Sequence, residues 1–387
     1  MNILIVTAMF PPIQTGTSFY SKNLAEALVK KGHKVILITL KNNQAAQNEK
    51  YSFKIHRLKA FYFPLKNFFK HLRICSFYPG NYRKILQITN QNHPDAILLI
   101  NHYLDIAFPA IYAARKNNIP LVVSVGTQLQ SLSLIRNKIL NILDKLICGG
   151  LIFPNCQKII AWDREIFRYL KDVQGPEILK KTVIVPYGVN GQDYEFNRPH
   201  EYLKSNQIIG VGAIIEQRNF IFLIKIFAKL LKKFPDLRLK IIGHVYYNVS
   251  VKLVEKLKIS DKVIFTGEKP HETVMDELKK SIFYWGVPSG RYTGLGTATL
   301  EAMLLGVPII TNIPEDLLGK PRLKDMENFI YSDGKSITKT LKRLEALLSD
   351  RKLQSKIGRG GRKFVQKNLS WHKIATEMAE VLKNVKA

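Results

Sequence analysis

MNILIVTAMFPPIQTGTSFYSKNLAEALVKKGHKVILIT, residues 1–39, decides the fold class. Residues 2–8 are a short apolar run with the pattern of a buried strand. Phe19, Leu24, Ala27 and Leu28 then recur at helical spacing within 19–31, and Gly32 ends that helix. KVILIT (34–39) is the next strand. Strand, helix, strand predicts a parallel βαβ unit. The pattern returns at 96–100, 121–125, 158–161 and 183–185. A second series opens at 207–212 (QIIGVG) and a basic amphipathic helix follows over 220–233. Strands are predicted at 237–242, 263–266 and 308–311, helices at 249–257 and 297–305, and a short apolar run at 283–287. Residues 337–385 read as strongly helical. Two successive series predict an α/β chain of two doubly wound, Rossmann-like domains. PYGVNGQDYEFNR (186–198) marks the boundary, giving domains 1–195 and 196–365 and a closing helix over 366–387.

The composition bounds the function. With 387 residues and 46% hydrophobic content, the chain has enough apolar material for two cores, which excludes a disordered protein. Lys and Arg number 59 against 30 Asp and Glu, a formal charge of +29. Such an excess points to an anionic partner: nucleic acid, an anionic membrane surface or a phosphorylated substrate. Cys75, Cys148 and Cys156 are too few and too scattered for a disulfide framework or a zinc knuckle, which suggests a reducing compartment. The opening residues carry no basic leader, and their apolar run stops at Pro11 and Pro12, so they read as a strand rather than a signal peptide. No apolar run approaches the ~18 residues that a membrane-spanning helix needs. Residues 50–94 contain no acid, nine Lys or Arg and ten Phe or Tyr. A solvated charged face normally mixes both signs, so this window stands out.

Two loops carry candidate chemistry. Gly16 lies just before a helix whose first turn carries Thr17 and Ser18. Glycine there lets the backbone approach a ligand, and the helix N-terminus offers unpaired N–H groups to an anion. A tight strand–helix loop would need the same glycine. Because G-x-G-x-x-G is absent and LITLKNN offers no acid at the second strand end, a dehydrogenase is disfavoured. The stronger signal is PSGRYTGLGTATLEAMLLGVP, 288–308. Gly294, Leu295 and Gly296 run straight into a helix that begins with Thr297, and amides at such a turn can cradle a diphosphate or sugar hydroxyls. Glu301, on the first turns of that helix, is placed to accept two vicinal hydroxyls, as from a ribose; alternatively it only complements the helix dipole.

These residues resemble the donor-site signature of retaining family 4 glycosyltransferases of the GT-B fold. VGAIIEQRNFIFLIKIFAKLL resembles the family's Gly-Arg…Lys-Gly segment, PPIQTG its N-terminal glycine loop, VPYGVN its interdomain turn and LSWHKIATEMAEVL its closing helix. The resemblance covers nearly the whole chain. It implies two Rossmann-like domains facing across a cleft that holds both substrates. It also implies sugar transfer from a nucleoside diphosphate to a glycan or lipid-linked acceptor, with retention of configuration. Arg218 matches the family lysine on the donor diphosphate. Glu301 matches the second acid of Glu-x7-Glu, which meets the ribose. Gly294, Leu295 and Gly296 match the loop against donor sugar and phosphates, and Gly16 the loop facing diphosphate and acceptor. Val287, Pro288 and Ser289 are expected near the base.

The departures are specific. Thr293 stands where the first motif glutamate is usual, Ala213 where a first basic residue is usual, and Asn219 where a glycine is usual. Arg291 is a candidate replacement for the cation missing at Ala213. VVSVGTQL lacks a histidine common at that strand end, and His102 is a candidate substitute in catalysis. No DxD triplet is present, and acids and histidines are too sparse along the chain for a metal site, so no metal or other cofactor is expected. The acid-free window is expected to meet anionic lipid through Lys66, Phe68, Phe69, Lys70, Arg73, Arg83 and Lys84, placing the protein in the cytoplasm on the inner face of the cell membrane. A nucleic-acid-binding protein is the rival that the charge suggests, but the basic residues occur in both domains and no nucleic-acid-binding motif is present, so no nucleic acid is expected. A second rival is a GT-B relative that binds nucleotide sugar, or scaffolds, without catalysis.

Overall fold

A computed structural model describes residues 1–13, 15–42, 50–62, 73–190, 205–290 and 294–385. They form two compact units, one of Met1–Gly188 with Trp371–Ala387 and one of Val189–Ser370. The expected boundary at 195/196 falls outside the described residues.

The first unit is a seven-stranded sheet. Its strands are β1 (Asn2–Thr7), β2 (Lys34–Leu40), β3 (Lys54–Leu58), β4 (Ala96–Ile100), β5 (Leu121–Val125), β6 (Lys158–Ala161) and β7 (Thr182–Ile184). All pair in parallel in the order β3-β2-β1-β4-β5-β6-β7. Strands buried on both faces read as unbroken apolar runs; AILLI in β4 and LVVSV in β5 are buried at every position. The helices between them are α1 (Gly16–Lys30), α2 (Pro79–Asn92), α3 (Ala107–Lys116), α4 (Leu134–Asp144) and α5 (Arg164–Gln174). Thr15 caps α1, its side chain accepting from Ser18 N–H, worth about 1 kcal/mol. At the other end Gly32 takes φ +82°, a conformation that glycine adopts without strain.

The second unit repeats the plan. Its strands are β8 (Gln207–Val211), β9 (Arg238–Ile242), β10 (Val263–Phe265), β11 (Phe283–Gly286), β12 (Ile309–Thr311) and β13 (Ile330–Tyr331). They too are all parallel, in the order β10-β9-β8-β11-β12-β13. Helices α6 (Phe220–Leu230), α7 (Val249–Lys256), α8 (His271–Lys280), α9 (Thr297–Leu304), α10 (Ile337–Ser349) and α11 (Arg351–Asn368) complete it. The final helix, α12 (Trp371–Lys383), belongs to the first unit. Its Trp371, Ile374, Ala375, Met378 and Leu382 join the core formed by Leu24 and Leu28 of α1 and strands β1 and β4. Each such fully buried side chain contributes roughly 1.5–3 kcal/mol.

In both sheets the first strand pairs with the fourth, after the winding direction has reversed. Ligands of open α/β sheets bind beyond the carboxyl ends of the strands at that switch point. The relevant loops therefore follow β1 and β4 in one unit, and β8 and β11 in the other.

Candidate donor site at the second switch point

The loop after β8 is shaped by backbone. Gly212 has φ +134° and Gly243, after β9, has φ +152°. A Cβ at Gly243 would lie 2.0 Å from the Gly212 carbonyl oxygen, so only glycine allows the two loops this close. Over Gly212 lies Arg218, whose Nε would be 3.2 Å from a Cβ there. A Cβ at Gly296 would be 3.5 Å from Arg218 Nη1. The guanidinium thus spans from the β8 loop to the start of α9. Gly296 is the N-cap of α9 in extended conformation, and no side chain caps the helix. Arg218 and that helix entrance form a cationic, amide-bearing corner suited to a phosphate.

Three further contacts fix the corner. Ser289 N–H donates to the Gln217 carbonyl at 2.7 Å, tying the loop after β11 to the residue beside Arg218. Asn312 Nδ2 donates to the Pro288 carbonyl at 2.8 Å. Asn219 adopts φ +54° and its Nδ2 donates to the Gly334 carbonyl at 3.4 Å. That left-handed conformation accounts for the departure noted above, since asparagine is among the few side chains that tolerate it where glycine is usual. Beneath the corner, burial pushes the Tyr284 phenol up while the nearby charge of Arg218 opposes it.

Glu301 is partly exposed, and its Oε1 lies 2.9 Å from His271 Nε2 at the start of α8. The hydrogen bond to Glu301 holds the His271 pKa above its ordinary value, although partial burial works against it. One carboxylate oxygen is thereby oriented and Oε2 remains to meet a ligand. The two residues lie thirty apart in sequence, and only the parallel packing of α8 and α9 brings them together.

The expected residues fare differently. Arg218, Gly294, Leu295, Gly296, Thr297 and Glu301 gather at the second switch point with Ala213, Pro288 and Ser289. The Val287 side chain, just before them, is wholly buried in the core of the second unit. Arg291 and Thr293 lie outside the described residues.

In the first unit, Gly16 and Thr17 open α1 at the switch point, and Asn101 Nδ2 donates to Thr17 Oγ1 at 3.0 Å. Asn101, at φ +67° just past β4, was not singled out from sequence. Beside the loop after β1 is a cavity of about 330 Å³ whose lining includes Pro11, Ile13, Phe19, Lys22, Lys50 and Tyr51. His102, the candidate substitute in catalysis, is completely buried. Its Nε2 lies 3.3 Å from Asp144 Oδ1 at the end of α4. Tyr169 hydroxyl (2.6 Å) and Gln174 Nε2 (3.2 Å) donate to the other oxygen of Asp144. Burial would raise the Asp144 carboxyl, but the hydrogen bond and charge of His102, with Cys148 and Tyr169, hold it below the usual range. Cys148 completes a group whose donor atoms lie within 4.8 Å of one another. Asp144 and Cys148 lie one turn apart at the end of α4 and in the turn that continues it, and the fold brings His102 to them from the loop after β4. In the histidine-free stretch, a Cβ at Gly126 would lie 2.3 Å from the Trp162 ring, so that indole fills the space a side chain would need.

Of the surface expected to meet lipid, Arg83 and Lys84 are exposed on α2. Lys66, Phe68, Phe69 and Lys70 lie outside the described residues. Arg73 is a correction: it is 3% exposed, donating to the carbonyls of Leu40, Lys41 and Ala8. Those carbonyls lie at or just past the ends of β1 and β2, where the guanidinium gives them a hydrogen-bond donor.

Two all-parallel sheets with this strand order define a chain of two Rossmann-like units. The family model described as Glycosyltransferase Family 4 matches residues 15–192, and that described as Glycosyl transferases group 1 matches residues 192–364. The chain belongs to this family of glycosyltransferases. It is similar to an uncharacterised glycosyltransferase of Methanocaldococcus jannaschii, 24% identical over 99% of this chain and 98% of the relative. Among solved structures, sucrose-phosphate synthase of Thermosynechococcus elongatus superposes with TM-score 0.76 at 18% identity over 99% of this chain and 98% of that one. Anabaena HepE in complex with UDP and glucose gives TM-score 0.72 at 13% identity over the whole of both chains.

Proposed function

We propose that this chain transfers a sugar from a nucleoside diphosphate to a glycan or lipid-linked acceptor with retention at the anomeric carbon. The observation that carries the reading is the span of Arg218 from Gly212 to Gly296 at the uncapped entrance of α9. In the proposed step the acceptor oxygen bonds to the anomeric carbon as the bond to the diphosphate oxygen breaks. The acceptor proton passes to the departing diphosphate. Charge that grows on the leaving group is met by the guanidinium and by helix amides already in place, without a metal ion. Glu301, held through Oε1 by His271, accepts from the ribose hydroxyls through Oε2, and Pro288 and Ser289 flank the base. UDP in a neighbour of the same fold supports a nucleotide of this kind.

The acceptor reading rests on the first unit, where Lys22 and Lys50 line the cavity and suit an acceptor carrying phosphate. The chain is proposed to work at the inner face of an anionic membrane, in the synthesis of a cell-surface glycan or glycolipid. Among the described residues no helix is long and apolar enough to cross a membrane. A failure to sediment with anionic vesicles at low salt would remove the membrane part.

Thermal-shift titration with UDP-, GDP- and ADP-sugars, with and without a chelator, tests the donor part, because a ligand bound only by the folded chain raises its apparent stability. A shift that survives chelation and vanishes in Arg218→Ala is expected. The neutral Ala213 favours one second reading, a nucleotide-sugar binder without turnover. Single-turnover release of nucleoside diphosphate separates the two.

A further inference from the structure

Among the described residues of the first unit, most of the exposed large apolar side chains lie on α4 and the turn after it. Ile135, Ile139, Ile142 and Leu146 recur at spacings of four, three and four residues, which is one stripe of a helix, carried into the π-helical turn Lys145–Ile152. They are 74%, 52%, 58% and 64% exposed. The one buried residue of α4 is Asp144. The helix therefore turns a carboxylate inward and isoleucines outward, the reverse of a helix packed on a sheet in water. This is no loosely attached segment, since Asp144 is held from inside by Tyr169, Gln174 and His102.

Charge identifies the occupant. Asp144 is the only acid within residues 127–162, and it is buried. At about 100° per residue, Lys138 and Lys145 fall on one flank of the stripe and Arg136 on the other; all three are exposed. Two copies of the chain meeting through this stripe would set cation against cation. A bilayer containing anionic lipid offers apolar matter to the stripe and negative headgroups to both flanks, the arrangement of a helix lying in the interface plane.

We propose that α4 and the turn after it are the membrane-docking element of this chain, seated in the interface of an anionic bilayer. The inference rests on the membrane part of the function proposed above, but it moves the contact from residues 50–94, where the sequence leads it to be expected, to α4. The test is sedimentation with phosphatidylglycerol–phosphatidylcholine vesicles at low salt. It compares the unaltered protein, the double variant Ile135→Asp with Ile142→Asp, and the double variant Arg83→Glu with Lys84→Glu. The altered α4 positions are exposed, so the unfolding midpoint should stay within a few degrees. Roughly tenfold or greater loss of vesicle binding is expected in the α4 variant and little loss in the α2 variant. Equal binding of the α4 variant and the unaltered protein overturns this inference and leaves the membrane part standing. No binding by the unaltered protein overturns both. A dimer in solution that the α4 substitutions convert to a monomer overturns it too, by assigning the stripe to a second copy.

Discussion

The two switch points share a topology and differ in what fills them. In the second unit the loops are glycine backbone, an arginine stretches across them, and the helix entrance carries no side-chain cap. In the first, side chains occupy the corresponding space: His102 and Asp144 meet in full burial, Trp162 covers Gly126, and Asn101 binds Thr17. A backbone-lined switch point leaves room and free amides for a phosphate-bearing ligand. One filled by side chains is fitted to its own interior and leaves recognition to the surrounding loops.

The contrast breaks most readily at His102. His102→Leu removes the polar ring beside the buried Asp144 Oδ1, and a loss of roughly 1–3 kcal/mol in denaturant unfolding of the first unit is expected. Donor-induced stabilisation of the second unit should persist, and its loss would mean that the two switch points are not independent. Gly243→Ala attacks the other side. The added methyl collides with the Gly212 carbonyl at a positive φ, so more than about 1 kcal/mol of stability should be lost together with donor binding. Unaltered donor affinity would show that the β8 loop does not shape the site.

A smaller effect concerns pH. The folded pKa of His271 is raised above 6.5, so its pairing with Glu301 stabilises the fold fully below that value and is lost as pH rises through the raised one. The midpoint difference between the unaltered protein and His271→Gln should be largest near about pH 5.5 and shrink toward about pH 8.5. A difference that grows with pH would contradict the assigned pairing. Smallest is Asn219→Gly, expected within about 0.5 kcal/mol in stability and without effect on donor binding, because glycine keeps the left-handed backbone and only the long 3.4 Å bond to the Gly334 carbonyl is lost. Loss of binding would give the Asn219 side chain a chemical role.

What the sequence discloses follows the physics of burial. β4, β5 and β6 are legible to the residue because strands covered on both faces need apolar side chains throughout. β3 escapes notice because KIHRL lies at the sheet edge and only Leu58 is buried. Arg218, Gly296 and Glu301 are legible because their chemistry is local to two loops. His271, Asn101 and the Asp144 group are not, since each acts on a partner thirty or more residues away. Arg73 misleads because a basic residue in a basic stretch looks solvated, whereas its guanidinium is buried on carbonyls at the strand ends.

The central claim is that Arg218 and the entrance of α9 hold the departing diphosphate. Single-turnover release of nucleoside diphosphate, measured in the unaltered protein and in Arg218→Ala with a chelator present throughout, tests it most directly. The account predicts release by the unaltered protein and a fall of roughly a hundredfold or more in the variant, at an unchanged unfolding midpoint without ligand. Equal rates in the two proteins, or turnover that stops on chelation alone, would contradict it.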